Sequence, residues 1–172
     1  MAEKHPVRGV LAGVAGGLVA AWVMNLWSEG PGSALNQKLE TPQDKEQLKK
    51  QSDGEDATMK TADKLATTAQ DGQHLTHEQR EQGGPIVHYS YAALVGGLYG
   101  GLAEYSKLVR SGFGTTYASA LFVGGDLVAV PALHLSAPLS ETPAASLAGP
   151  YTGHLVYGIT TELVRRLVRW AL

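Results

Sequence analysis

The chain has 172 residues, enough for one domain with a real core, and no cysteine, which excludes disulfides, thiolate metal sites and sulfur redox chemistry. A net charge of −2, with no basic patch interleaved with aromatics, excludes an ordinary nucleic-acid binder. The mean hydropathy of −0.09 hides two unlike parts: residues 28–84 hold 7 of the 14 Lys/Arg and 11 of the 16 Asp/Glu, while the rest holds most of the Val, Leu, Ile and Trp.

Four segments approach the roughly 20 apolar residues that cross a bilayer. The first, Gly9 to Trp27, reads "GVLAGVAGGLVAAWVMNLW". A polar insert follows from Ser28 to Gly84. Its local signals are a Thr41-Pro42 helix start, a stripe of Met59, Ala62, Leu65, Ala66 and Ala69 ended by Asp71-Gly72, and capping-box spacing between Thr76 and Gln79. So little apolar surface implies partial disorder or docking on the membrane face. His74 and His77 are three apart, but no third metal ligand is near; the expectation is a solvated pair and no metal.

The second span, Pro85 to Ala103, reads "PIVHYSYAALVGGLYGGLA", and the third runs from Phe113 to Leu133. The fourth, Ala144 to Val164, reads "AASLAGPYTGHLVYGITTELV". Lys4 and Arg8 precede the first span, Lys107 and Arg110 join the second to the third, and Arg165, Arg166 and Arg169 follow the fourth. The connection His134 to Pro143 has no Lys or Arg. That is the positive-inside pattern for four helices with both termini cytoplasmic. The expected fold is therefore an all-α integral membrane four-helix bundle, organised as 1–27 (N-terminus and first span), 28–84 (extracytoplasmic, partly helical insert) and 85–172 (three spans and a basic C-terminus). A soluble helical protein with Gly-rich core helices, or a signal peptide at the first span, are the alternatives.

Lipid gives helices no hydrophobic reason to associate, so close backbone contact must hold such a bundle. Gly9, Gly13, Gly17, Ala21 and Asn25 recur every four residues on the first span, and Gly96 and Gly100 repeat the device on the second, a glycine-zipper pattern. These grooves serve packing within the bundle or a homodimer.

Asp126 is the only charge in "LFVGGDLVAVPAL" (Leu121 to Leu133). Counting about 1.5 Å per residue puts it and His154 of the fourth span at similar depth, within about two turns, in the outer half of the bundle, with Asn25 and His88 nearer the outer surface. An ionisable residue at membrane depth is a functional-site hypothesis by default. Asp126, His154, His88 and Asn25 thus form a candidate proton or ion cluster; the plainer reading is that Asp126 staples two helices. His154, Gly158 and Glu162 share one helix face. Glu162 is spaced for an ion pair with Arg165 or Arg166 at the cytoplasmic boundary, and Arg165, Arg166 and Arg169 suit anionic lipid headgroups.

The run "GHLVYGITTELVRRLVR", Gly153 to Arg169, resembles the last helix of the YagU-like inner membrane protein family through Gly153, His154, Leu155, Val156, Glu162, Arg165, Arg166 and Arg169. The third span is similar in Leu121-Phe122-Val123 and Pro131. The resemblance implies an integral bacterial inner membrane protein of unknown biochemical activity with a loose link to acid tolerance, and supplies no catalytic residues. This chain departs from the family in its acidic insert and in Asp126. The competing reading is a non-catalytic scaffold or accessory subunit docking through the insert. No nucleophile–base set, phosphate loop or HExxH spacing is present, so neither an enzyme nor a cofactor is expected. The expected partners are the lipid bilayer and, beyond it, a second copy or a larger membrane complex.

Overall fold

The computed structural model describes residues 5–172, so Lys4 lies outside the described residues. These form six helices and, among the described residues, no strand. They are α1 (Pro6–Leu39), α2 (Pro42–Gln51), α3 (Ala57–Ala69), α4 (His77–Ala103), α5 (Ser111–Ala132) and α6 (Ala148–Ala171). By length and composition, α1 and α5 are able to cross a membrane.

The central helix is α1, with α4 and α6 packed along it. The reason is the spacing of its small residues. A side chain on Gly13 would meet the Gly96 carbonyl and come within 2.8 Å of Gly100 Cα; one on Gly96 would come within 2.5 Å of Gly13 O. Gly9 faces Gly100 O at 2.6 Å by the same measure, and Gly17 faces Ala92 O. The two backbones touch along the zipper that the spacing predicts. A second small-residue face, Ala12, Gly16 and Ala20, is also buried, and Gly16 abuts the Thr161 carbonyl of α6.

Three departures from the sequence boundaries have physical causes. First, α1 does not stop at Trp27. Pro31 lacks an N–H and its ring crowds the preceding turn, and the helix absorbs this by widening to i→i+5 bonding over Ser28–Gly32 before continuing to Leu39. Second, α4 begins eight residues before Pro85, at the Thr76/Gln79 capping box, and its first turns lie on α3 with Gly84 against Met59 and Gly83 against Ala62. Third, α6 continues past Val164 to Ala171, which keeps all three C-terminal arginines on the helix.

Two turns set the ends of α5. Gly112, Phe113 and Gly114 all have positive φ (58°, 58° and 89°). Glycine is needed at 114 because its φ is left-handed and a Cβ there would run into the Gly158 carbonyl. At the other end, Phe122–Ala129 are widened into π geometry ahead of Pro131, and His134 (φ 56°) closes the helix.

The insert is ordered and lies on its own chain. Thr41 and Asp44 form a capping box at α2, and Asp56 caps α3. Gln51 Nε2 donates to Glu141 O at 2.8 Å, Gln47 donates to the same carbonyl, and Lys64 reaches Leu133 O. The insert thereby roofs the α5–α6 connection.

Side chains are distributed inside out. The largest fully buried ones are Tyr99, Glu162 and Thr161, and much of the rest of the core is Ala and Gly. Large apolar residues point outward from all four long helices: Leu11 and Leu18 on α1, Leu94 and Leu98 on α4, Val123 and Val128 on α5, and Leu163 and Leu167 on α6.

Candidate functional site

Asp126 sits on the π-widened stretch of α5, a distortion frequent at functional sites. The widening and Pro131 have one origin. Pro131 supplies no N–H, so a carbonyl one turn back, at Leu127 in α register or Asp126 in π register, loses its helical donor. His154 on α6 faces this segment, with Nε2 3.6 Å from Asp126 Oδ2.

The tautomer of His154 follows from its other contact. Nδ1 lies 3.0 Å from the Pro150 carbonyl, which only accepts, so Nδ1 carries a hydrogen. Nε2 of the neutral ring is then an acceptor aimed at the carboxylate. One further proton completes the pair, either as imidazolium and carboxylate or as imidazole and carboxylic acid, and both forms are neutral overall. At 3.6 Å the groups are in ion-pair range, a little beyond a direct hydrogen bond. Phe122 walls the imidazole at 5.3 Å between ring centres and stacks on Tyr151 at the same distance. His154 is mostly enclosed, whereas the Asp126 side chain is 40% exposed.

That exposure opens into a cavity of about 500 Å³ beneath the insert. Its walls combine Asp126 and Phe122 of α5, Asn36 of the α1 extension and Glu40 just past its end, Leu48 of α2 and Leu139 of the α5–α6 connection, with no Lys or Arg among the described residues lining it. Asn36 clips the roof to α6 from both ends of its amide: Nδ2 donates to Ser146 O at 3.0 Å and Oδ1 accepts from Gly149 N at 2.7 Å.

Of the four residues expected to cluster, Asp126 and His154 meet. His88 lies edge-on to Tyr89 at 5.4 Å with a buried Nε2 that has no partner, and among the described residues neither His88 nor Asn25 hydrogen-bonds to the pair.

The boundary residues form a second, buried network. Glu162 is fully enclosed and accepts from Arg165 Nε (2.7 Å), Arg166 Nε (2.7 Å) and the Tyr99 hydroxyl (2.8 Å). Glu104 accepts from Arg169 Nε at 3.1 Å and from the His5 backbone N–H at 3.2 Å. Arg165 and Arg169 are thus engaged inside the protein, and Arg166, half-exposed, stacks over Phe113 at 4.5 Å. Sequence spacing finds the Glu162 pairs; the tyrosine partner carries no spacing signal because it comes from another helix.

At the outer corner of the insert, Arg80 donates to both oxygens of Glu55 (2.7 and 2.9 Å), and Asp63 accepts from His74 (2.8 Å) and from the Leu75 N–H (2.8 Å). Hydrogen bonding to Arg80 holds the Glu55 carboxyl below the usual range, and hydrogen bonding to His74 does the same for Asp63. His74 and His77 are exposed, each against a carboxylate, and no group of three or more metal-ligating side chains occurs among the described residues.

No family model, curated protein or solved structure matches the chain.

Proposed function

We propose that this chain is an integral protein of the bacterial inner membrane, crossing it four times with both termini cytoplasmic, and that its Asp126–His154 pair takes up and releases one proton beneath the insert as a step in proton leakage across the membrane, in the service of acid tolerance. The membrane assignment is supported by the inside-out side chains: glycine, alanine and a paired ionic network inside, Leu and Val outside on all four long helices. A soluble domain rarely leaves so much large apolar surface uncovered. The resemblance of Gly153 to Arg169 to the YagU-like family agrees with that location and with the acid-tolerance role.

The observation that carries the proton reading is the Asp126–His154 geometry: an imidazole with its tautomer fixed by Pro150, its free nitrogen 3.6 Å from a carboxylate that reaches a cavity. The insert spends Gln47, Gln51 and Lys64 on its own chain, which favours a roof over a docking arm for another subunit.

The test is a reconstitution. Vesicles holding the wild type should dissipate an imposed pH gradient, and Asp126→Asn should slow this more than tenfold while keeping its helical content and monodispersity. Equal rates for both proteins, or a chain extracted from membranes by carbonate, would sink the reading.

A further inference from the structure

The cavity is much larger than proton exchange requires. A proton needs at most a few waters, at about 30 Å³ each, whereas about 500 Å³ lies within the range of sites for small organic ligands. Its chemistry is one-sided. Two carboxyl groups, Asp126 and Glu40, reach it, and no Lys or Arg among the described residues does. The Asn36 amide is spent at both ends on Ser146 and Gly149, which leaves it little to offer an anion. Leu48, Leu127 and Leu139 offer hydrocarbon, and Phe122, buried against His154 and Tyr151, adds to the apolar wall.

We infer that this cavity binds a lipophilic monovalent organic cation at Asp126 and that binding expels the proton shared with His154. The inference rests on the proton-exchange reading of the same pair. Asp126 is faced by His154 from α6 and by Tyr91 from α4, Glu40 just past the end of α1 lines the same cavity, and α2 and α3 bring only Leu48 and Ala57. The charges balance. An imidazolium–carboxylate pair is neutral. When a cation takes over the carboxylate, the imidazolium loses its counter-charge, releases its Nε2 proton to solvent, and the site returns to neutrality with one proton out per cation in. A carboxylate used alternately by proton and cation makes affinity rise with pH, by up to tenfold per unit while one proton is displaced.

The experiment titrates the purified full chain in detergent with benzyltrimethylammonium, whose charge does not change with pH, and with benzenesulfonate, which pairs the same ring with a negative charge. Expected are saturable binding of the cation alone, release of about one proton read from buffer-dependent heats, affinity falling about tenfold per pH unit on acidification, and at least tenfold weaker binding by Asp126→Asn. The wild-type titrations do not depend on how that variant folds. Comparable binding of the sulfonate, cation binding without proton release, or no saturable binding at pH 8 would overturn the inference. If the cation fails to bind while vesicles still show Asp126-dependent proton exchange, this inference alone falls. If that exchange is absent, the underlying reading falls first.

Discussion

The Tyr99 hydroxyl of α4 donates to Glu162 Oε2 of α6 at 2.8 Å, and the same carboxylate holds Arg165 and Arg166 of its own helix. Glu162 therefore joins two helices that share α1 as their common neighbour. Its removal leaves the buried Arg165 only the Glu104 carboxylate at 3.9 Å, and breaking a buried pair by deleting one partner costs about 3–5 kcal/mol. Glu162→Ala is expected to lose an amount in that range, and Tyr99→Phe about 1.5–3 kcal/mol for one hydrogen bond to a charged group. Thermal melts of the detergent-solubilised variants check both. A double variant no worse than Glu162→Ala alone would show that the tyrosine acts through the carboxylate.

The glycines divide by what a methyl group would meet. Gly13→Ala drives a Cβ into the Gly96 carbonyl, where backbone has to move, and overpacking of this kind costs about 1–3 kcal/mol. Gly124→Ala on α5 meets nothing within 4 Å and is expected to be neutral, or to gain up to about 1 kcal/mol from helix propensity. Equal melting temperatures for the two variants would refute the zipper.

Much of this was legible because it depends on local spacing. The four-residue repeat of Gly9, Gly13 and Gly17 specified a groove, and the structure fills it with Gly96 and Gly100. Rise per residue placed Asp126 and His154 at similar depth, within about two turns, and the two side chains come to 3.6 Å. The same arithmetic set His88 and Asn25 nearer the outer surface but not whether they face the pair, because depth follows from counting whereas the direction around the helix follows from which neighbours pack. Sequence bounds the first span at Trp27, where the apolar run ends, yet the helix passes Pro31 through a π turn and continues to Leu39, and so Asn36 lay unnoticed in the polar insert. Tyr99 carried no signal of its own, since nothing local tells which hydroxyl finds a buried carboxylate 63 residues away.

Acid should loosen the outer corner of the insert in a defined direction. Glu55 and Asp63 have folded-state pKa values lowered by their hydrogen bonds to Arg80 and His74. Carboxyls of this kind contribute stability that is fully present above their unfolded values of about 4, and that is lost as pH falls through the lowered folded values. Protection factors of the α3–α4 connection, which divide out the intrinsic pH dependence of amide exchange, should thus hold steady from neutral pH to about 5 and fall well below 4. Arg80→Gln should move that onset upward. An onset unchanged by Arg80→Gln would show that the ion pairs do not set it.

Asn36 offers the sharpest separation of roof from bundle. Its amide supplies a donor to Ser146 O and an acceptor to Gly149 N, and the second bond caps the first turn of α6, where backbone N–H groups lack helical partners. Asn36→Ala removes both bonds and leaves partly buried groups unpaired, a cost of about 1–3 kcal/mol. Asn36→Asp keeps the acceptor for Gly149 and loses only the donor, so it should retain the larger part of the stability. The consequences should stay local, because the Gly13–Gly96 contact and the Glu162 network do not involve the roof. Hydrogen exchange is expected to speed up across residues 144–152 in Asn36→Ala and to leave the Val95–Gly100 stretch of α4 unchanged. If α4 loosened equally, the roof and the bundle would be one cooperative unit, and the cavity above Asp126 would not open without unfolding the helices that form it.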